Sequence, residues 1–170
     1  MFALNHSSAN GNRLRLGRVA MAIAAGGLLA AIAMPGGAQE LDGAALWSLG
    51  GCFNCHGALA AGDGDPAYPV GPSLRSSRLS RDQFLETLAC GRPSTGMPFN
   101  LAGAYTQTPC YGLPLGAPPA VLAGADFTPA QIDALVDFLM NSVVGVRTIT
   151  RENCAVFFDG NVNAPTCRQY

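Results

Sequence analysis

The sequence predicts a small all-α domain of three to four short helices joined by long loops. Two segments open with complete helix-start signatures, a third places its residues at helical spacing, and the stretches between them lack the alternation of a strand. The start signatures are Leu79-Ser80-Arg81-Asp82-Gln83-Phe84 and Phe127-Thr128-Pro129-Ala130-Gln131-Ile132. Ser80 and Thr128 are the caps, Gln83 and Gln131 complete capping boxes, and Leu79 with Phe84 and Phe127 with Ile132 can act as hydrophobic staples. Pro129 suits a first helical position. Gly91, with Pro93 close behind, ends one helix. The other carries an apolar stripe of Ile132, Leu135, Val136 and Leu139, with Gly145 as its stop. The earliest helix is expected over residues 43–56, capped by Asp42. Its Ala45, Leu49, Cys52 and His56 fall at spacings of four, three and four, on one face.

The first forty residues read differently. Arg13, Arg15 and Arg18 precede an apolar run over residues 19–34, and Pro35-Gly36-Gly37-Ala38-Gln39 follows with small residues. That order is the order of a secretory signal peptide, removed after Ala38. An uncleaved anchor is the alternative, but the apolar run is shorter than the roughly 20 residues that cross a bilayer core. No later segment could span a membrane. The expected organisation is a signal peptide over 1–38, a folded domain over 39–145, and a C-terminal extension over 146–170. Beyond residue 38 stand seven arginines, no lysine and eleven acidic residues. An acidic chain without lysine is poorly suited to nucleic acid or anionic lipid, and neither is expected as a partner.

Export to a periplasm would put all six cysteines, Cys52, Cys55, Cys90, Cys110, Cys154 and Cys167, where disulfides persist. Only one histidine, His56, lies beyond the leader. The stretches over 57–74 and 93–126 are rich in Gly, Pro and Ala and read as ordered loops. Loops this long are uncommon in a compact domain unless something organises them. A buried cofactor would supply the missing scaffold.

Cys52-Phe53-Asn54-Cys55-His56 is a C-x-x-C-H sequence, the haem c attachment signature. Two thiols on about one helical turn can add to the two vinyl groups of a haem, and the adjacent imidazole then points at the iron. A structural zinc site would want a second ligand pair, and a thioredoxin-like pair would want a preceding strand. A plain local disulfide leaves His56 unexplained. For the other side of the iron the chain beyond the leader offers Met97 and Met140. Met140 ends the apolar stripe, where a core role is the default. Met97 sits between Gly96 and Pro98, in a loop whose backbone can approach a metal closely. The alternatives are that Met97 merely packs, or that the sixth position is open.

These residues give the chain its resemblance to the class I c-type cytochromes, the monohaem, His/Met-ligated family. The resemblance rests on Cys52-Phe53-Asn54-Cys55-His56, Gly71-Pro72-Ser73-Leu74, Thr95-Gly96-Met97-Pro98 and a C-terminal helix carrying Phe138. It covers about residues 43–142. It implies one covalent haem c on Cys52 and Cys55, His56 and Met97 as axial ligands, and a Pro72 carbonyl that orients His56. It also implies that the first and last helices cross beside the haem, with Leu46 or Leu49 against Val136, Leu139 or Phe138. One departure is Ser48, where the family places an aromatic four residues before the first cysteine. Trp47 stands one earlier, and with Gly50-Gly51 intervening no contact is assigned to it. The stretch over 100–126 is longer than the family core needs, and the extension over 146–170 is additional.

The four other cysteines allow three pairings. The local one, Cys90 with Cys110 and Cys154 with Cys167, is expected. It would tie the Met97 loop down and close the extension on itself. Asp63 and Asp65 lack the further ligands of a calcium loop and read as a solvated turn. Arg75, Arg78, Arg81 and Arg92 are candidate cationic docking contacts, or an ordinary solvated surface, which is the reading preferred. Phe53, Leu74, Phe99 and Leu101 are candidate haem-pocket residues.

With both axial positions filled, the resemblance implies a periplasmic protein that carries single electrons between redox partners and is not itself an enzyme. One alternative is a dedicated cytochrome subunit of a periplasmic dehydrogenase or terminal oxidase. Another is a haem-based ligand-binding sensor or enzyme, which requires Met97 to be displaceable.

Overall fold

The computed structural model describes residues 42–170; the leader expected over 1–38 lies outside them. In order come α1 (Gly43–Leu49), α2 (Cys52–His56), α3 (Arg81–Cys90), β1 (Phe99–Leu101), β2 (Ala123–Phe127), α4 (Pro129–Ser142), α5 (Arg151–Ala155) and a 3-10 turn at Pro165–Gln169. The domain is therefore mixed rather than all-α: five helices and a two-stranded parallel sheet. Neither strand was readable from pattern. Three residues are too few to show alternation, and Ala123-Gly124-Ala125 has little strand propensity. What makes the pair is a tertiary tie. Asn100 is buried, accepts from the Ala125 N–H at 3.2 Å and donates to the Leu88 carbonyl at 3.2 Å, so one side chain joins β1 to both β2 and α3. Among the described residues no helix is long and apolar enough to cross a membrane.

The two capping boxes form as expected. The Ser80 hydroxyl accepts from the Gln83 N–H while the Gln83 side chain accepts from the Ser80 N–H, and Thr128 and Gln131 do the same at α4. Gly91 ends α3 at φ +67°. A third box, Thr150 with Asn153, starts α5 inside the C-terminal extension.

The first helix departs from its expectation. Asp42 caps it, accepting from the Ala44 N–H at 2.9 Å, but the helix stops at Leu49 and a second begins at Cys52. Gly51 at φ +64° turns the chain between them. A left-handed residue breaks the hydrogen-bond ladder, and glycine is the residue that takes this conformation without steric cost. The break abolishes the shared face: Ala45 and Leu49 are exposed while Leu46 and Trp47 are buried.

The helix crossing is made by small residues. A Cβ on Gly43 would collide with the Phe138 Cβ and stand 2.8 Å from the Ala134 carbonyl oxygen, so α1 can pack on α4 only because this position is glycine. Leu46 joins Leu135, Val136 and Leu139 in the core, whereas Leu49 is 70 % exposed and is no part of it. The core continues into the extension through Cys154, Phe157, Ala164 and Cys167.

Candidate functional site

Helix α2 carries Cys52, Cys55 and His56. The four other cysteines are paired, Cys90 with Cys110 and Cys154 with Cys167, while Cys52 and Cys55 are free thiols. Burial pushes the Cys52 thiol up to about 12, with a smaller upward push from Cys55. A thiol so held is protonated at neutral pH. It lacks the depressed pKa of a disulfide-exchange nucleophile.

His56 is buried, and its Nδ1 lies 2.8 Å from the Pro72 carbonyl oxygen. A carbonyl can only accept, so Nδ1 carries the proton and Nε2 holds the lone pair. Burial lowers the imidazole pKa and the Pro72 bond opposes it in part. The result is a neutral ring in a fixed tautomer, the form that binds a metal. Gly71 makes this approach possible, since a Cβ there would stand 2.7 Å from Nδ1 and 2.8 Å from the Cys55 carbonyl oxygen. The Gly71 N–H donates to that same Cys55 carbonyl at 2.9 Å. Asp65 caps a turn on the adjoining loop, accepting from the Ala67 N–H at 2.8 Å.

Met97 is half-buried against the core, in the loop between α3 and β1. Its N–H donates to the Thr95 hydroxyl at 3.1 Å, and its carbonyl accepts from the Arg92 N–H at 3.1 Å. Gly96 touches the segment that holds His56: a Cβ there would lie 2.6 Å from the Pro69 ring. The loop bearing Met97 and the loop bearing Pro72 are thus neighbours. Met140 is also half-buried and packs against the core from α4.

Three ties hold the Met97 loop. The Cys90–Cys110 disulfide joins the end of α3 to the insertion. The buried Tyr105 hydroxyl donates to the Cys90 carbonyl at 2.9 Å, and the Tyr111 hydroxyl donates to the Gly91 carbonyl. Those carbonyls end a helix and would otherwise lack partners. Tyr105 adopts φ +64°, a strained value for a tyrosine, which its buried bond and packing offset. Of the expected pocket residues, Leu101 is buried, Leu74 and Phe99 are half-buried and Phe53 is 42 % exposed.

Trp47, to which the sequence assigned no contact, is buried 6.2 Å from the His56 ring, centroid to centroid. It packs edge-on against Phe157 of the extension at 5.8 Å, and Phe157 packs edge-on against Phe138 at 5.2 Å. The extension therefore forms one wall beside the histidine. Arg75 corrects the expectation of a solvated arginine surface: it is buried, whereas Arg78 and Arg92 are exposed and Arg81 pairs with Asp133 and Asp137. Trp47 and Phe157 carried no local signal, because what brings them to the site is the fold of the extension. Comparison of the chain with protein-family models, curated proteins and solved structures returns no match.

Proposed function

We propose that this chain is an exported monohaem c-type cytochrome that carries single electrons between periplasmic redox proteins and is not itself an enzyme. The observation that carries the reading is the state of the Cys52–His56 helix. It presents two unpaired thiols one turn apart, beside a neutral imidazole whose Nδ1 is tied to Pro72 and whose Nε2 is left for a metal. The donor set fits a covalent haem. It fits the alternatives less well: among the described residues no three His, Cys, Asp or Glu side chains gather as zinc ligands, and the raised Cys52 thiol is unsuited to disulfide exchange.

The haem would supply a one-electron iron couple. The residues of the chain do the rest. Cys52 and Cys55 would fix the group to the domain, and His56, oriented by Pro72, would hold its iron through Nε2. Met97 would be the second ligand to the iron, and a His/Met pair raises the reduction potential. The Cys90–Cys110 bridge and the two tyrosine hydroxyls hold the Met97 loop in place. With both ligands on the iron no position would remain for a substrate, and the transfer would be outer-sphere.

The test is a visible spectrum of the protein, exported in a host able to attach haem, in oxidised and reduced forms and with carbon monoxide added to the latter. A c-type reduced spectrum, a weak far-red methionine band when oxidised and no response to carbon monoxide are expected. A response to carbon monoxide would replace the carrier with a sensor or enzyme. A stoichiometric complex with a dehydrogenase or oxidase would make the chain a dedicated subunit.

A further inference from the structure

Arg75 is buried without an ionic partner. Its Nε donates to the Leu59 carbonyl at 2.7 Å and its Nη1 to the Val146 carbonyl at 3.1 Å, while Nη2 is buried with no partner at all. The guanidinium carbon lies 5.9 Å above the Phe157 ring. The Arg75 carbonyl accepts from the Gly145 N–H at 2.9 Å. The ion pairs among the described residues are those of Arg81, and Asp63 and Tyr170 act on Arg75 only through space. A guanidinium is always charged, and burying one without a carboxylate is costly. Carbonyl dipoles and an aromatic face offset part of that cost, but a leucine or methionine would fill the same place without it.

The location shows what the charge does. Leu59 stands three residues after His56, and Phe157 lies between Arg75 and Trp47, which itself neighbours the His56 ring. The cation is thus held between the loop that leaves His56 and the extension. On the haem reading above, on which this rests, oxidation of the iron adds one positive charge to the site. A fixed cation in a poorly solvated setting opposes that charge.

We infer that Arg75 is a positioning residue that fastens the C-terminal extension beside His56 and whose buried charge raises the reduction potential of the bound haem. Two variants separate the charge from the fastening. Arg75→Gln keeps an N–H donor for the Leu59 carbonyl and loses the charge. Arg75→Lys loses the planar fork and keeps the charge at about pH 5, where even a buried ammonium stays largely protonated.

The experiment is a potentiometric titration at about pH 5 of the wild-type holoprotein and both variants, followed in the visible band, with thermal unfolding recorded beside it. The midpoint potential is expected to fall in Arg75→Gln and to stay near the wild-type value in Arg75→Lys, while both variants unfold at lower temperature. Equal falls in the two variants, or no fall in either, would overturn the inference and leave the haem reading standing. A wild-type chain without covalent haem would overturn the haem reading and this inference with it.

Discussion

Around His56 the ring is fixed by one carbonyl and one glycine approach, whereas around Met97 the loop is fixed by a disulfide and several side-chain hydrogen bonds. The histidine is held by its own helix, by a carbonyl sixteen residues away and by a glycine whose missing Cβ lets that carbonyl approach. The methionine loop is held by a disulfide spanning twenty residues, by Asn100 reaching α3 and β2, and by two tyrosine hydroxyls from the insertion. The first arrangement rests on few contacts, one of them in a recognisable motif. The second exists only when the whole domain has folded, and it should fail first under stress.

The largest contrast is in ligand loss. His56→Ala is expected to abolish accumulation of holoprotein. Met97→Ala should keep the covalent haem, lose the far-red band and bind carbon monoxide when reduced. Spectra of the two exported variants check this, and a Met97→Ala protein that ignores carbon monoxide would show that another side chain closes that face. Next comes the disulfide. Replacing Cys90 and Cys110 by serine removes a bridge over a loop of twenty residues and should cost about 3 kcal/mol of stability. In a denaturant titration of that variant, the methionine band should vanish before the features of the histidine-bound haem. Simultaneous loss of both would mean that the two sides are not separable.

Asn100→Ala leaves the Ala125 N–H and the Leu88 carbonyl without their side-chain partner, at about 1–3 kcal/mol. Its loss, read by chemical denaturation, should also fall first on the methionine band. The two approach glycines make a matched pair. Gly71→Ala puts a Cβ 2.7 Å from His56 Nδ1, and Gly96→Ala puts one 2.6 Å from the Pro69 ring. Each overpacks by about 1–3 kcal/mol. Gly71→Ala should perturb the haem through its histidine, and Gly96→Ala through its methionine. The smallest effect belongs to Gly116→Ala, where nothing lies within 4 Å of the new methyl. Its stability should match wild type within about 0.5 kcal/mol.

The same contrast governs what was legible in the sequence. The motif over Cys52–His56 and two capping boxes could be read from local pattern and spacing, the local cysteine pairing was the one expected among three, and the Pro72 contact is one that the resemblance to class I c-type cytochromes implies. The break at Gly51 was not, because two glycines ahead of Cys52 suggest a shift without fixing its form. The parallel pair of β1 and β2 was invisible because its cause is one buried asparagine rather than any alternation. Trp47, Phe157 and the buried Arg75 escaped for a related reason. Their roles depend on the extension folding back beside His56, and no residue spacing within the extension encodes that direction. Arginine is the clearest case: four of them near one helix look alike in sequence, and only packing separates the buried Arg75 from the surface-paired Arg81.

The central claim is that Cys52 and Cys55 carry a haem. Intact-mass measurement of the exported protein, after acid extraction of any loosely held pigment, tests it most directly, with the Cys52→Ala/Cys55→Ala double variant alongside. The account predicts that the wild-type chain is heavier than its polypeptide by one haem and that the double variant is not. A wild-type mass equal to the bare polypeptide, from a host shown to attach haem to a known c-type cytochrome, would contradict it.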